Sequence, residues 1–393
     1  MDRAKRLDKI PPYLFGEIAR LKAGAIAEGK DLVDLGIGDP DQPTPQAVID
    51  RLCEAVNDPE THRYDESESG WPVFLDAVSR WYKKRFDVDI DAKSEAMLLI
   101  GSKDGLAHLC WAMIDPGDVS LVPDPGYTVY KVNTMMAGGE AVTMPLLEKN
   151  GFVPDLTAIS TDAAKKAKLM FLNYPNNPTG AIASLDFYKD AVRFAKEYDI
   201  AICSDLAYSE VTYDGYDAPS MLQVEGAKDV VIEMHSLSKT FNMTGWRIGY
   251  AVGNKDVVGH LNKLKSNLDS RQFPAIDLAA AYALETVSNQ STLDLYTRRR
   301  DILVDGLNEI GWKVKKPVAS LYVWAKVPEG FTSAEFSKLL LTDAGVLVIP
   351  GNGYGEYGEG YVRMSLTVSG DKDGDRMAEA VRRIRDNIKI DWK

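Results

Sequence analysis

A chain of 393 residues exceeds the usual size of a single hydrophobic core, so two lobes are expected. Apolar residues make up 45% and charged residues 26%, the balance of a soluble globular enzyme. Acidic residues outnumber basic ones by 58 to 46, for a formal charge of −12, which argues against a nucleic-acid partner but leaves room for a locally positive pocket that takes small anions.

In chain order, the opening M-D-R-A-K-R-L-D-K-I-P-P-Y has no uninterrupted apolar region of the signal-peptide kind. No later run reaches the ~18 apolar residues of a membrane span. No membrane partner is therefore expected, and the cytoplasm is the expected location. The segment G-I-G-D-P-D (36–41) lacks the third glycine of a dinucleotide fingerprint and follows no complete βαβ unit. Between about residues 96 and 253, seven apolar runs read as strands: 96–100, 119–123, 141–146, 169–173, 200–204, 230–235 and 248–252. Between two of them Phe187, Ala191, Phe194 and Tyr198 recur at helical spacing. Such alternation predicts a mostly parallel seven-stranded sheet covered on both faces.

The last third differs. One long helical stretch is expected from near Ile276 through Arg298–Arg300, then strands at 321–325, 346–350 and 361–366, and a final amphipathic helix near 375–389. This predicts an α/β chain with a large domain (46–285) and a smaller α+β domain (286–393), while the pattern alone does not place the N-terminal forty residues. The glycines of 351–360 end in no phosphate-loop Lys-Ser/Thr and are expected to form a mobile loop near the site. Cys53, Cys110 and Cys203 are odd in number and far apart, which fits a reducing compartment without a disulfide framework. His62, His108, His235 and His260 form no ligand pair, so no metal site is expected.

Ligands of open α/β sheets bind beyond the carboxyl ends of strands, and four such ends carry reactive groups. G-S-K-D-G (101–105) opens a helix whose free N–H groups suit a phosphate. Y-P-N-N-P-T-G (174–180) is a rigid turn holding Asn177. Asp205 follows the fifth strand, with Tyr208 three residues on. H-S-L-S-K (235–239) follows the sixth, and Arg247 lies eight residues beyond Lys239. Ser236 and Lys239 also satisfy S-x-x-K, but the S-D-N and K-T-G companions of penicillin-recognising enzymes are absent and the preceding strand puts the motif on a loop. Together the groups match pyridoxal 5′-phosphate: an amine for its aldehyde, a carboxylate for its ring nitrogen, an amide and a phenol for its ring hydroxyl, and serines with an arginine for its phosphate.

On these motifs the chain resembles the fold-type-I pyridoxal-phosphate aminotransferases from its N-terminal arm to its last helix, which implies that residues 1–45 form that arm and part of the small domain. The resemblance implies that Lys239 is the Schiff-base lysine, that Asp205 faces the ring nitrogen, and that Asn177 and Tyr208 hold the phenolic oxygen. It implies phosphate contacts from Ser102, Lys103, Ser236, Ser238 and Arg247, and ring stacking by Tyr127 in D-P-G-Y. Arg363 in V-R-M-S-L would clamp the substrate α-carboxylate bidentately. Tyr64 in H-R-Y-D-E-S-E-S-G would reach the phosphate of the partner subunit, implying a homodimer. I-P-P-Y-L-F (10–15), D-L-G-I-G-D-P-D-Q-P-T-P (34–45) and P-G-N-G-Y-G-E-Y-G-E-G-Y (350–361) are similar to the LL-diaminopimelate aminotransferases. That likeness implies amino transfer between LL-2,6-diaminopimelate and 2-oxoglutarate, giving tetrahydrodipicolinate and glutamate, in lysine and cell-wall precursor synthesis. It adds Tyr13, Gly38, Lys103, Tyr127 and Asn177 to the substrate contacts. The alternatives are an aspartate, alanine or broad-range aminotransferase, or a pyridoxal-phosphate lyase on the same scaffold.

Overall fold

Neighbouring residues of the same apolar runs feed two different cores, which is why the runs read as continuous. Leu98, Met170, Ile202 and Val231 pack in one cluster, whereas Met97, Leu99, Phe171, Cys203 and Ile232 pack in another. The computed structural model describes residues 1–393 except 12, 13, 28, 65, 66, 68, 270, 372 and 393. The side chains of 9, 14, 15, 17–19, 21 and 25 also lie outside the description.

The strands are β1 (Val33–Asp34), β2 (Ala96–Leu99), β3 (Val119–Asp124), β4 (Glu140–Pro145), β5 (Ala167–Leu172) and β6 (Ala201–Asp205). They continue with β7 (Val231–Ser236), β8 (Gly249–Gly253), β9 (Tyr322–Lys326), β10 (Val346–Leu347), β11 (Ile349–Pro350) and β12 (Tyr361–Ser365). The large sheet has the order β2-β8-β7-β6-β5-β3-β4. Only β8 runs against its neighbours, pairing antiparallel with both β2 and β7. The mostly parallel seven-stranded sheet expected from the sequence is present.

A third apolar cluster is built from Tyr296, Leu303, Trp312, Phe336, Val362, Met364 and Ile384, joined by Val33 and Leu35 from the N-terminal segment. It surrounds the antiparallel sheet β11-β12-β9. The N-terminal segment is tied there by β1, parallel to β10, and by Asp41, whose carboxylate takes both guanidinium nitrogens of buried Arg299 at 2.8 Å.

Three expectations are corrected. The helix expected from Ile276 to Arg300 is two helices, Pro274–Thr286 and Gln290–Glu309. Between them Val287 is extended, and the Asn289 amide donates to the Glu210 carbonyl at 2.8 Å instead of facing solvent. The run 346–350 is not one strand: β10 pairs with β1, and β11 pairs with β12 in a different sheet. The expected mobile glycine loop is pinned in the structure. The Asp124 carboxylate accepts the Glu356 N–H at 3.1 Å and the Tyr357 N–H at 3.0 Å, and the Gly126 N–H donates to the Tyr354 carbonyl at 3.0 Å.

Candidate active site

Because β8 is antiparallel, its start lies at the same sheet edge as the carboxyl ends of β2 and β7: Gly249 is in register with both Leu99 and Ser236. A cavity of about 690 Å³ opens at this edge. It is lined by Gly38, Ser102, Lys103, Tyr127, Asn177, Asp205, Tyr208, Ser236, Lys239 and Arg363, ten of the sequence candidates brought together. Ser238, which is buried, and Arg247, which is exposed, are not among the residues that line it. Tyr64 is 84% exposed and away from the cavity of its own chain. Tyr13 lies outside the described residues. Lys239 is not on a loop: Ser236 ends β7, and Leu237–Thr240 forms one helical turn.

Asp205 ends β6 and is almost fully buried. Its Oδ2 accepts the Tyr130 hydroxyl at 2.7 Å, while Oδ1 has no hydrogen-bond partner among the described residues. Burial pushes its carboxyl up to about 6, against the pull of the Tyr130 hydrogen bond, the nearby Ala207 amide and the Lys239 charge. The amine of Lys239 donates to the Gly38 carbonyl at 3.0 Å, and its enclosure lowers its pKa, with the charges of Arg363 and Arg247 working the same way. A lysine held this way is closer to the neutral, nucleophilic form than one in water.

Arg363 reaches from β12 of the small sheet into the cavity. Its guanidinium donates to the Asn177 side-chain oxygen at 3.0 Å and to the Gly36 carbonyl at 2.6 Å, and lies 4.1 Å from the centre of the Tyr322 ring. The Tyr322 hydroxyl is 2.9 Å from that of Tyr208. A methyl group at Gly38 would collide with the Tyr322 hydroxyl, so the close approach of the N-terminal segment requires glycine there. Asn177 is fixed by its turn: the Asn173 side chain accepts its N–H at 2.7 Å, and the Asn176 side chain accepts the N–H and hydroxyl of Thr179.

The cavity's anion end is the start of helix Ser102–Met113. Gly101 has φ +77°, and a Cβ there would lie 2.5 Å from an Arg247 nitrogen. The guanidinium thus lies against bare backbone beside the helix N-terminus, where free N–H groups and a cation converge. Arg247 itself has φ +55°, an uncommon left-handed conformation for a non-glycine residue.

Sequence reasoning did not single out Tyr322, Asn173 or Tyr130 as site residues. Tyr322 sat in a run read only as a strand, and Asn173 closed the strand run 169–173, just ahead of the Y-P-N-N-P-T-G turn. Tyr130 carried no signal beyond its place three residues after Tyr127.

The family model described as aminotransferase class I and II matches residues 30–384. The LL-diaminopimelate aminotransferase of Moorella thermoacetica is 52% identical over 388 residues, covering 98% of both chains. That of Halothermothrix orenii is 51% identical over 389 residues, covering 98% of this chain and 99% of the other. Among solved structures, substrate-bound BacF from Bacillus subtilis matches with a TM-score of 0.93 at 37% identity over 98% of each chain. An aspartate aminotransferase from Thermotoga maritima matches with a TM-score of 0.87 at 27% identity, covering 98% of this chain and 99% of that one.

Proposed function

Because the chain belongs to the class I and II aminotransferases and has their type I fold, we propose that it moves an amino group between LL-2,6-diaminopimelate and 2-oxoglutarate, with pyridoxal 5′-phosphate as cofactor. The products are tetrahydrodipicolinate and glutamate, and the biosynthetic direction, toward lysine and cell-wall precursors, is the reverse. The substrate reading rests on relatives of that name that are about half identical over nearly the whole chain.

The observation that carries the chemistry is the unpartnered Oδ1 of buried Asp205 in the same cavity as the Lys239 amine. A buried carboxylate oxygen without a donor suits a protonated ring nitrogen, which would supply the missing hydrogen bond and charge. The backbone cradle at Gly101 with Arg247, Ser102, Lys103, Ser236 and Ser238 suits a phosphate. The donor set fits the cofactor. When bound, pyridoxal phosphate supplies an aldehyde that condenses with amines and a ring that draws off negative charge.

The chain's own residues do the rest. Lys239 Nζ, its pKa already lowered, takes the proton from the substrate α-carbon as a base and then, as the ammonium so formed, gives the same proton up as an acid. Asp205 keeps the ring nitrogen protonated. Asn177 and Tyr208 would hold the ring hydroxyl oxygen, and Tyr127 would cover the ring face. Arg363 grips the α-carboxylate with its planar fork. Gly38, Lys103, Tyr127 and Asn177 line the cavity that would take the substrate, and Tyr13 is proposed as a further substrate contact. Both half-reactions use one site, so the kinetics are ping-pong.

The working unit in this reading is a homodimer, supported by the exposure of Tyr64 away from its own cavity. The free cysteines support a reducing, cytoplasmic location, and no helix among the described residues is long and apolar enough to cross a membrane. The division into 1–45, 46–285 and 286–393 is supported by the separate apolar clusters, although Tyr208, Val211 and Tyr213 of the large lobe join the small-lobe core.

A panel of amino donors and 2-oxoacids against the purified protein tests the reading. LL-diaminopimelate with 2-oxoglutarate should give the highest kcat/KM. Faster turnover of aspartate or alanine would make the protein a different aminotransferase. Elimination without any 2-oxoacid requirement would make it a lyase.

A further inference from the structure

Asp205 is held at two points. Its backbone carbonyl accepts the Asn173 side-chain amide at 2.7 Å, and its Oδ2 accepts the Tyr130 hydroxyl at 2.7 Å. Tyr130 is itself immobilised in the first turn of helix Val129–Ala137: its ring stacks on Phe171 at 4.8 Å and meets the edge of Tyr127 at 5.8 Å. It is 1% exposed. No role follows for this phenol from the transfer reaction as described above.

We infer that Tyr130 is a positioning residue for Asp205, fixing Oδ2 so that Oδ1 is the oxygen presented to the cofactor's ring nitrogen. The inference rests on the pyridoxal-phosphate reading of the cavity. Burial and the Asp205 charge raise the Tyr130 pKa far out of the working range, so its hydroxyl keeps its proton. A phenol that cannot ionise is an obligate donor here, and it favours the ionised carboxylate over the acid. The other groups facing Asp205 cannot replace it. The Lys239 amine is given over to the Gly38 carbonyl, the Tyr208 hydroxyl is engaged with that of Tyr322 at 2.9 Å, and the Cys203 thiol, kept neutral by burial, is a weak donor. When Asp205 takes up a proton, Oδ2 is already occupied by the Tyr130 donor, so the proton goes to Oδ1 and blocks the ring-facing position.

Tyr130→Phe keeps the ring and its stacking but removes the donor; Phe171→Leu removes the stacking but keeps the donor. The first readout needs no cofactor: the side-chain carboxyl of Asp205 is followed by 13C NMR titration of aspartate-labelled protein, assigned by its loss in Asp205→Asn. In Tyr130→Phe the titration should move upward by about one pH unit, the worth of one hydrogen bond to a charged group. In Phe171→Leu it should stay in place. In the loaded enzyme the acid limb of the kcat profile should move upward with it, and kcat at neutral pH should fall by about tenfold while KM changes little. An unchanged Asp205 titration in folded Tyr130→Phe, or an equal shift in Phe171→Leu, overturns the inference. Failure of wild-type protein to take up pyridoxal phosphate, seen by absorbance, would instead overturn the cofactor reading.

Discussion

In the cofactor-free protein the burial of Asp205 has a thermodynamic consequence that can be measured. Its carboxyl titrates at about 6 when folded, against about 3.9 in an unfolded chain. Between those values the folded state binds the proton and the unfolded state does not, so stability falls as pH rises through this window. Above it the loss levels off at roughly 3 kcal/mol. Asp205→Asn removes the charge but keeps the shape. Its cofactor-free form should therefore melt higher than wild type at pH 8, with the difference fading at pH 5, where wild-type Asp205 is mostly protonated. The same variant should lose at least about a hundredfold in kcat, because the neutral amide cannot hold a proton on the ring nitrogen. Equal melting temperatures of variant and wild type at pH 8 would mean the carboxylate is not penalised. Arg363 yields a second prediction at this scale. Its fork spans two acceptors across the cavity wall, a geometry that a lysine point charge cannot copy. Arg363→Lys should lower kcat/KM by about a hundredfold for every amino donor alike, from loss of a bidentate charged contact. A loss confined to one donor in the panel would put Arg363 at the variable end of the substrate.

Whole elements are tuned toward the cavity as well. Asp104, in the first turn of helix Ser102–Met113, places a negative charge beside the phosphate cradle. Lys265, whose side chain is 3% exposed, answers it with Nζ 2.6 Å from Asp104 and 2.9 Å from Asp269, while His108 lies 2.9 Å from the other Asp104 oxygen. The lysine thus supplies the cation to a cluster that could otherwise resemble a metal site. Lys265→Met should weaken pyridoxal 5′-phosphate binding about tenfold, or 1.4 kcal/mol, through uncompensated repulsion by Asp104. Pyridoxal, which lacks the phosphate, should bind with unchanged affinity. Equal weakening of both ligands in equilibrium dialysis would point to general damage instead. This coupling was invisible in the sequence because its partners are 161 residues apart. Elements buried on both faces were legible to within a residue or two, since a parallel strand must be apolar along its whole length. So was the turn that presents Asn177, whose residue types leave few other roles, whereas the sequence puts Lys239 on a loop and the structure on a helical turn. The break at Val287–Asn289 was not legible, because it contains neither proline nor glycine and depends on Glu210 in the other lobe. Tyr322 was missed for the same reason: its hydroxyl meets Tyr208 only where the two lobes close together.

At the scale of the whole molecule, a chain of net charge −12 surrounds a cavity lined by four cationic residues, Lys22, Lys103, Lys239 and Arg363, against two carboxylates, Asp39 and Asp205. The bulk charge repels the dianionic 2-oxoglutarate, but the excess of cations at the cavity attracts carboxylates, and over a Debye length of about 8 Å the nearer charges dominate. The exposed Tyr64 remains to be placed. It belongs to the segment that includes His62, whose ring lies 6.1 Å from partly exposed Phe273. An exposed aromatic cluster on an enzyme of this size suits a contact between copies of the chain. If Tyr64 completes the phosphate site of the partner subunit, each cavity takes its lysine from one chain and its tyrosine from the other. Tyr64→Ala and Lys239→Ala homodimers should then both be impaired, with Lys239→Ala reduced to residual transamination. In a heterodimer of the two variants, the chain that keeps Lys239 faces a partner that keeps Tyr64. One of its two sites is therefore intact, and activity should rise well above that of either parent. If Tyr64 serves its own chain, every site in the heterodimer carries one substitution and no activity returns. Steady-state rates of purified, differently tagged heterodimers distinguish the two arrangements.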